Sequence, residues 1–228
     1  MQTNSPLLLA LDTSTRMVGV AIYDGVSALA ELTWSSKDFH TVELAPAVHD
    51  TLTRIGSSPA DVNAIVVAIG PGSFTGLRIG LALAKGMVLA LRIPIIGVPT
   101  LDVLATAQAI KKIPMAAVLR VGRGRLAVGW YHVQGGAWRS SGKLEIKTAE
   151  ELAKQITAPV YICGELDENE VKLLREKATS AQIGSPAQSL RRPAYLAEIG
   201  WQRWKADMVD DPATLSPLYL HYNDPIPG

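Results

Sequence analysis

The segment Gly70-Pro71-Gly72 joins a predicted strand to a long apolar helix pattern, and this junction constrains the fold most. Residues 64–69 form a short apolar run that is typical of a buried strand. The chain can turn sharply after it, because glycine accepts positive φ and proline fixes its own φ. We expect Ser73 or Thr75 to cap the helix that follows. Apolar residues continue that helix at helical spacing: Leu77, Leu81, Ala84, Val88 and Leu91.

Small residues recur every four positions along this predicted helix, at Gly76, Gly80 and Ala84. Part of the helix surface therefore carries almost no side chain, and another helix or another subunit could approach it closely. We call these three positions the small-residue ridge.

The order of predicted elements indicates an α/β fold of the ribonuclease-H-like type. Three antiparallel strands open the chain, and residues 7–110 read β-β-β-α-β-α-β-α, the order of a mixed sheet flanked by helices in sugar kinases, actin and heat-shock ATPases. A degenerate second half follows near Lys111–Pro114, and a last helix is predicted at residues 193–208. We therefore predict two subdomains: residues 1–111 with partner-binding helices, and residues 112–228 with an extended tail.

Two turns of the first half are candidates for phosphate contact. A strand, a Gly-rich turn and a helix N-terminus leave free N–H groups and a positive dipole end that can hold an anion. In kinases of this fold, a carboxylate and hydroxyls at the first turn meet a metal-bound phosphate. A purely structural role for both turns stays open, because Asp and Thr also satisfy turn amides. The candidates are Asp12, Thr13, Ser14, Gly72, Ser73 and Thr75.

The titratable residues suggest no catalytic set and no metal site. His40 and His49 are nine positions apart, which places them on opposite sides of a helix. No HxxxH, HExxH or CxxC pattern occurs, and the aspartates stand at turns or helix starts, where capping explains them. We expect no catalytic residue and no metal bound by this chain alone.

Arg120, Arg123 and Arg125 cluster on one predicted hairpin of the second half. Such a cluster could face RNA or phosphate, and a solvated hairpin is the alternative. The net charge of +1 gives no global case for polyanion binding.

Composition predicts a globular protein, with 48% hydrophobic and 19% charged residues. A single cysteine, Cys163, agrees with a reducing compartment. No signal-peptide pattern opens the chain, and Lys85, Arg92 and Pro94 interrupt the most apolar region, residues 79–96. We expect no membrane span and a cytoplasmic location.

Three motifs taken together resemble the TsaB (YeaZ) family in sequence and order. They are residues 9–15 (LALDTST), 70–80 (GPGSFTGLRIG) and 94–101 (PIIGVPTL), with a thinner match at residues 217–220 (PLYL). The resemblance is strong over residues 7–110 and weak beyond them.

The resemblance implies a role in bacterial tRNA modification. In that family, TsaB joins the related protein TsaD and the ATPase TsaE, which together move a threonylcarbamoyl group from an adenylate donor to the adenosine beside the anticodon. TsaD carries the metal and the chemistry, and TsaB is a non-catalytic scaffold and activator. The implied partners are thus TsaD and TsaE, a second copy when the chain is alone, and tRNA only through the complex. No cofactor is expected on this chain alone, and ATP or ADP would lie at the complex interface.

Several positions depart from the patterns of these relatives. The His-x-x-x-His metal signature of TsaD would fall on Thr100 and Leu104, neither of which can replace an imidazole. Family members carry Asp-Ala-Arg and Glu-Val-Tyr where this chain has Arg120-Val-Gly122 and Arg125-Leu-Ala127, and an arginine where it has His221. The roles of those family residues are not carried over.

The family pairs through its first two helices, which agrees with the small-residue ridge. We predict a four-helix contact formed by helices 38–55 and 74–91 with the partner. The predicted interface residues are His40, Leu44, Val48, Gly76, Leu77, Gly80, Leu81 and Ala84.

Two enzymatic alternatives remain. A kinase-like ATP-dependent phosphotransferase would use Asp12 and the turn at residues 72–75, but the second half offers no Gly-rich adenine loop and has Arg120 where a second phosphate-facing Asp would stand. A metallopeptidase-like activity lacks a ligand set.

Overall fold

A computed structural model describes residues 5–37 and 40–219 of the chain. It divides into two compact units. Unit 1 contains the residues up to Val103 together with residues 191–217, and unit 2 consists chiefly of residues 104–190.

Unit 1 is a five-stranded mixed sheet with helices on both faces. The sheet order is β3-β2-β1-β4-β5, in which β1, β2 and β3 pair antiparallel while β4 and β5 continue parallel to β1. A 3₁₀ turn at Pro59–Asp61 precedes β4. The elements are β1 (Leu7–Asp12), β2 (Met17–Tyr23), β3 (Ala28–Ser35), α1 (His40–Arg54), β4 (Val62–Ala68), α2 (Phe74–Leu91), β5 (Ile95–Val98) and the start of α3 (Thr100–Thr106).

The central strand β1 shows why helices cover both faces of the sheet in unit 1. All of its residues are buried, because successive side chains point to opposite faces and both faces are covered. Leu9 and Leu11 join the apolar residues of α1 and α2 in one core cluster. Leu8 and Ala10 join Leu196 in a second cluster on the other face. Leu196 belongs to α6 (Pro193–Lys205), which follows unit 2 in the sequence.

Unit 2 is a second five-stranded mixed sheet, ordered β10-β9-β6-β7-β8. Its helices α4 and α5 begin with capping boxes, in which Thr148 pairs with Glu151 and Asp167 with Glu170. The elements are β6 (Met115–Arg120), β7 (Leu126–Gln134), β8 (Ala137–Lys147), α4 (Ala149–Gln155), β9 (Val160–Gly164), α5 (Glu168–Lys177) and β10 (Ala181–Ile183).

The predicted α/β class with two mixed sheets is confirmed, but the predicted cut at residue 111 differs from the observed division. The last helix is not part of the second subdomain. It packs on β1 and β2, because its apolar residues cover the face of the first sheet that α1 and α2 leave open. The tail is also attached to unit 1, because Asp210 accepts a 2.7 Å hydrogen bond from the Gly97 amide. The predicted helix 193–208 ends at Lys205, and Met208 beyond it is exposed.

The helix α2 is, among the described residues, long and apolar enough to cross a membrane. One such helix is weak evidence for a span, because the core helix of a globular protein has the same length and composition. In the structure, 33% of this helix is buried, and its buried side chains belong to the core of unit 1.

Candidate functional site

The turn after β1 is buried and bonded to the segments around it. Thr13 Oγ1 donates a 2.7 Å hydrogen bond to the carbonyl of Gly76, and the Ser14 amide donates to Asp12 Oδ1 at 2.9 Å. Ser14 Oγ and Thr100 Oγ1 share a 2.8 Å hydrogen bond. Asp12, Thr13 and Ser14 thus lie together, and their polar groups are used within the chain.

A buried arginine closes this turn. Arg191 Nε donates to Asp12 Oδ2 at 2.9 Å, and Arg191 Nη2 donates to Thr15 Oγ1 at 2.7 Å and to the Met17 carbonyl at 3.3 Å. The side chains of Arg191 and Asp12 are 2% and 3% exposed. Both oxygens of Asp12 therefore accept hydrogen bonds inside unit 1, and its charge is compensated by a guanidinium.

The remaining phosphate-contact candidates form the start of α2. Ser73 Oγ accepts from the Gly76 amide at 3.2 Å, so Ser73 and not Thr75 caps the helix. The Ser73 amide donates to the Ser14 carbonyl at 2.6 Å. A Cβ at Gly72 would lie 2.2 Å from that same carbonyl, so the glycine is required by the close approach of the two turns. Ser73 and Thr75 are exposed.

The small-residue ridge is covered by the chain itself, which corrects our expectation of a bare surface. A Cβ at Gly76 would lie 2.2 Å from the Thr13 carbonyl, and one at Gly80 would lie 2.2 Å from Thr13 Oγ1. Ala84 is fully buried. The glycines therefore allow α2 to pack on the turn after β1, and they are not free for a partner.

The apolar residues predicted for the partner interface are also core residues. Leu44, Val48, Leu81 and Ala84 belong to the core cluster of unit 1, and Leu77 is buried. These residues recur at the spacing of the inward faces of α1 and α2. Because those faces are buried in the core, a partner protein cannot contact them. The side chain of His40 lies outside the described residues.

The outward faces of the same two helices carry exposed apolar side chains. Val42 is 66% exposed, Phe74 53% and Leu89 70%. Gly86 also lies on the outside, where a Cβ would meet no atom within 4 Å. We call Val42, Phe74 and Leu89 the outer apolar face.

The arginine hairpin is partly engaged within unit 2. Arg120 Nη2 lies 2.9 Å from Asp167 Oδ2, and Arg120 Nε lies 3.6 Å from Glu170 Oε2. Arg123 is exposed at the tip with a positive φ of 53°, and Arg125 is half-buried. The three arginines are close in sequence, but Arg120 is held against the first turn of α5.

Metal-ligating side chains are not clustered in the described part of the chain. No group of three His, Cys, Asp or Glu side chains there is placed to hold a metal ion. Burial raises the pKa of the Cys163 thiol to about 12, so this side chain stays protonated at neutral pH. His221, which departs from the family pattern, lies outside the described residues.

Sequence reasoning missed Arg191 and the bonding role of Thr100. Arg191 pairs with a residue 179 positions away, and nothing local distinguishes it from its neighbour Arg192. Thr100 Oγ1 also accepts a 3.1 Å hydrogen bond from the Gly70 amide, so it joins the two turns. Its place in the third motif was the one available signal.

Sequence comparisons connect the chain with threonylcarbamoyladenosine biosynthesis. A family model described as TsaD, tRNA N6-adenosine threonylcarbamoyltransferase, matches residues 28–182. The chain is 32% identical over 205 residues to the tRNA threonylcarbamoyladenosine biosynthesis protein TsaB of Bacillus subtilis (strain 168), covering 88% of this chain and 90% of that protein.

Solved structures agree with this relationship. The fold is similar to YeaZ from Pseudomonas aeruginosa, with a TM-score of 0.77, 27% identity, and 94% of this chain and 100% of that chain covered. The ROK hexokinase from Thermus thermophilus gives a TM-score of 0.50 at 13% identity, covering 87% of this chain and 99% of that one. At this low identity the likeness to the hexokinase concerns the fold alone, the sugar-kinase type that the element order predicted.

Proposed function

Because the chain belongs to the TsaB family of tRNA threonylcarbamoyladenosine biosynthesis proteins, we propose that it is a non-catalytic subunit of the transferase complex. In this proposal it stabilises and activates TsaD, with TsaE as the third component, and meets tRNA only through the complex. When isolated, the chain pairs with a second copy of itself through the surface that it uses to bind TsaD.

The observation that carries the non-catalytic role is the closed turn at Asp12. A phosphotransferase of this fold needs a carboxylate here that is open to a metal-bound phosphate. Asp12 is instead buried, and Arg191 and the Ser14 amide occupy its two oxygens. A metal ion that carries the phosphate would have to displace the guanidinium from Asp12, which would break this ion pair inside the buried turn and is strongly unfavourable. This supports a scaffold over the kinase-like alternative.

We assign the docking role to the outer apolar face. Val42 and Leu89 lie on neighbouring helices of unit 1, and their exposed apolar side chains can pack against a partner helix. Phe74 is exposed as well, with the guanidinium of Arg78 3.6 Å from the centroid of its ring. The inward residues that sequence periodicity suggested serve the core of the subunit.

Reconstitution of the modification tests the activating role. TsaD, TsaE, the enzyme that supplies threonylcarbamoyl adenylate and unmodified tRNA are combined with and without this chain, and modified adenosine is measured after nuclease digestion. We expect the yield to fall to background when the chain is omitted. An undiminished yield would contradict the proposal.

A pair of matched variants tests the docking surface. Leu89→Glu places a charge on the outer apolar face, and Ile110→Glu places the same charge at an exposed apolar residue elsewhere. We expect only Leu89→Glu to abolish co-elution with TsaD on a sizing column and activity in the reconstituted reaction. Retention of the complex by Leu89→Glu would show that the partner binds elsewhere.

Calorimetry with Mg-ATP separates the scaffold from the kinase-like alternative. We expect no saturable heat from the isolated chain, since we place any ATP or ADP at the interface with TsaD. Tight magnesium-dependent binding, or turnover of ATP or a carbamoyl donor by the chain alone, would overturn the proposal.

A further inference from the structure

A small cavity lies in unit 1 beside the turn that joins β2 to β3. Its volume is about 220 Å³, and its walls come from the β2–β3 hairpin and the first turns of α6. The residues that matter for its chemistry are Tyr23, Val26, Ala28, Arg192, Tyr195 and Glu198.

The positive groups at this cavity are already compensated. Arg192 Nε and Nη2 both donate to Glu31 Oε2, the first at 3.0 Å. The other oxygen, Glu31 Oε1, accepts a 3.0 Å hydrogen bond from the Ala194 amide and thereby caps the N-terminus of α6. One glutamate thus neutralises both the guanidinium and the helix end, so neither is available as an anion site.

The negative charge of Glu198 is not compensated. Among the residues that the structure describes, no hydrogen bond or ion pair reaches its carboxylate, which lines the cavity. Burial raises the pKa of the Tyr23 hydroxyl, and the negative charges of Glu198 and Asp24 raise it further. The charge of Glu198 therefore acts on the tyrosine that lines the same cavity. Because Arg192 is already paired with Glu31, the carboxylate of Glu198 favours a cation in the cavity.

Two tyrosines line the cavity, Tyr23 and Tyr195. The rings of Tyr23 and Trp201 are in edge-to-face contact, with their centroids 5.7 Å apart, and this contact fixes the orientation of Tyr23. The ring of Tyr195 already carries the guanidinium of Arg192 at 5.9 Å from its centroid. Aromatic faces next to a carboxylate are the groups that recognise ammonium and guanidinium ions.

We propose that this cavity binds a cationic alkyl group, a guanidinium or an ammonium on a short apolar stem. Glu198 pairs with the charge, Tyr23 borders it, and Val26 and Ala28 contact the stem. The cavity is smaller than the roughly 300–1,000 Å³ of ordinary small-molecule sites, which suits one long basic side chain or a small free amine. This proposal does not depend on the proposed function.

Titration of the full-length chain with n-butylguanidinium, followed by backbone amide NMR, tests the site. We expect saturable shifts at the amides of Ala28 and Ala194, weakened by salt, and none with the neutral probe n-pentanol. Equal shifts with n-pentanol would overturn the cationic assignment.

Substitution of the carboxylate gives the decisive control. Glu198→Gln keeps the shape of an exposed side chain and should weaken n-butylguanidinium binding by about two- to fivefold, the range of an exposed ion pair. Glu176→Gln removes another exposed helical carboxylate, in unit 2, and should leave binding unchanged. Unchanged affinity in Glu198→Gln would refute the proposal, and the amide spectrum of each variant reports whether it is folded.

A second arm identifies the source of the cation. The peptide acetyl-Gly-Arg-Gly-amide is compared with n-butylguanidinium under the same conditions. Tighter binding of the peptide supports the proposal with a protein side chain as occupant, and tighter binding of the free ion supports it with a small amine. Failure of both to bind overturns it.

Discussion

Arg191 and Asp12 show how a single buried ion pair changes the chemistry of a turn. Their side chains are almost wholly enclosed, and the pair leaves no carboxylate oxygen of Asp12 without a hydrogen bond. Removing one partner leaves a buried charge unpaired, which costs about 3–5 kcal/mol, whereas removing both avoids that penalty. The pair therefore affects the free energy of unfolding mainly when one of its two partners is removed.

We predict that Arg191→Met and Asp12→Asn each lower the free energy of unfolding by about 3–5 kcal/mol, and that the double variant is less destabilised than the sum. Urea denaturation of the four proteins measures this coupling. The exposed pair Lys177–Glu150 is the control and should show a far smaller coupling. Additive effects at Asp12 and Arg191 would mean that the ion pair is energetically unimportant.

The helix α2 has two kinds of glycine, which sequence spacing does not distinguish. Gly80 lies against Thr13, so that an added Cβ would come within 2.2 Å of Thr13 Oγ1. Gly86 faces open space. The inner face of the helix is therefore built for a close approach, and the outer face is not.

We predict opposite effects for one methyl group at these two positions. Gly80→Ala should destabilise the protein by about 1–3 kcal/mol, because the turn or the helix must move. Gly86→Ala should stabilise it by up to about 1 kcal/mol through helix propensity. Thermal or urea unfolding measures both. Equal stability of the two variants would contradict the close packing of Gly80 against Thr13.

At the scale of the whole molecule, the chain leaves unit 1 and returns to it. The helix α6 covers one face of the first sheet, and Asp210 bonds to β5, so residues 191–217 are structurally part of the N-terminal unit. A truncation anywhere before residue 191 would uncover Leu8 and Ala10.

We predict that Leu196→Ala weakens unit 1 selectively. Leu196 and Leu174 are both fully buried, the first against the sheet of unit 1 and the second in the core of unit 2. Each truncation should cost about 2–5 kcal/mol. Hydrogen exchange should show lost protection in β1 and β2 for Leu196→Ala, and in β6 and β9 for Leu174→Ala. Lost protection in β6 and β9 with Leu196→Ala would favour a division at residue 111.

The sequence by itself determined the elements and the family. Apolar periodicity and the Gly-rich junction are local signals, so the element order of the first half and the last helix could be predicted. The short β10 could not. The three motifs led to the same family that the comparisons support.

Only the tertiary structure decided which faces are covered and which charges are paired. Apolar spacing on α1 and α2 is the same whether a core or a partner lies opposite, and the covering turn at Thr13 is 63 residues from Gly76. Arg191 finds Asp12 only because α6 returns to the first sheet after unit 2. Burial and pairing between distant segments depend on where the chain comes back, and that is a property of the packed fold and not of any local pattern.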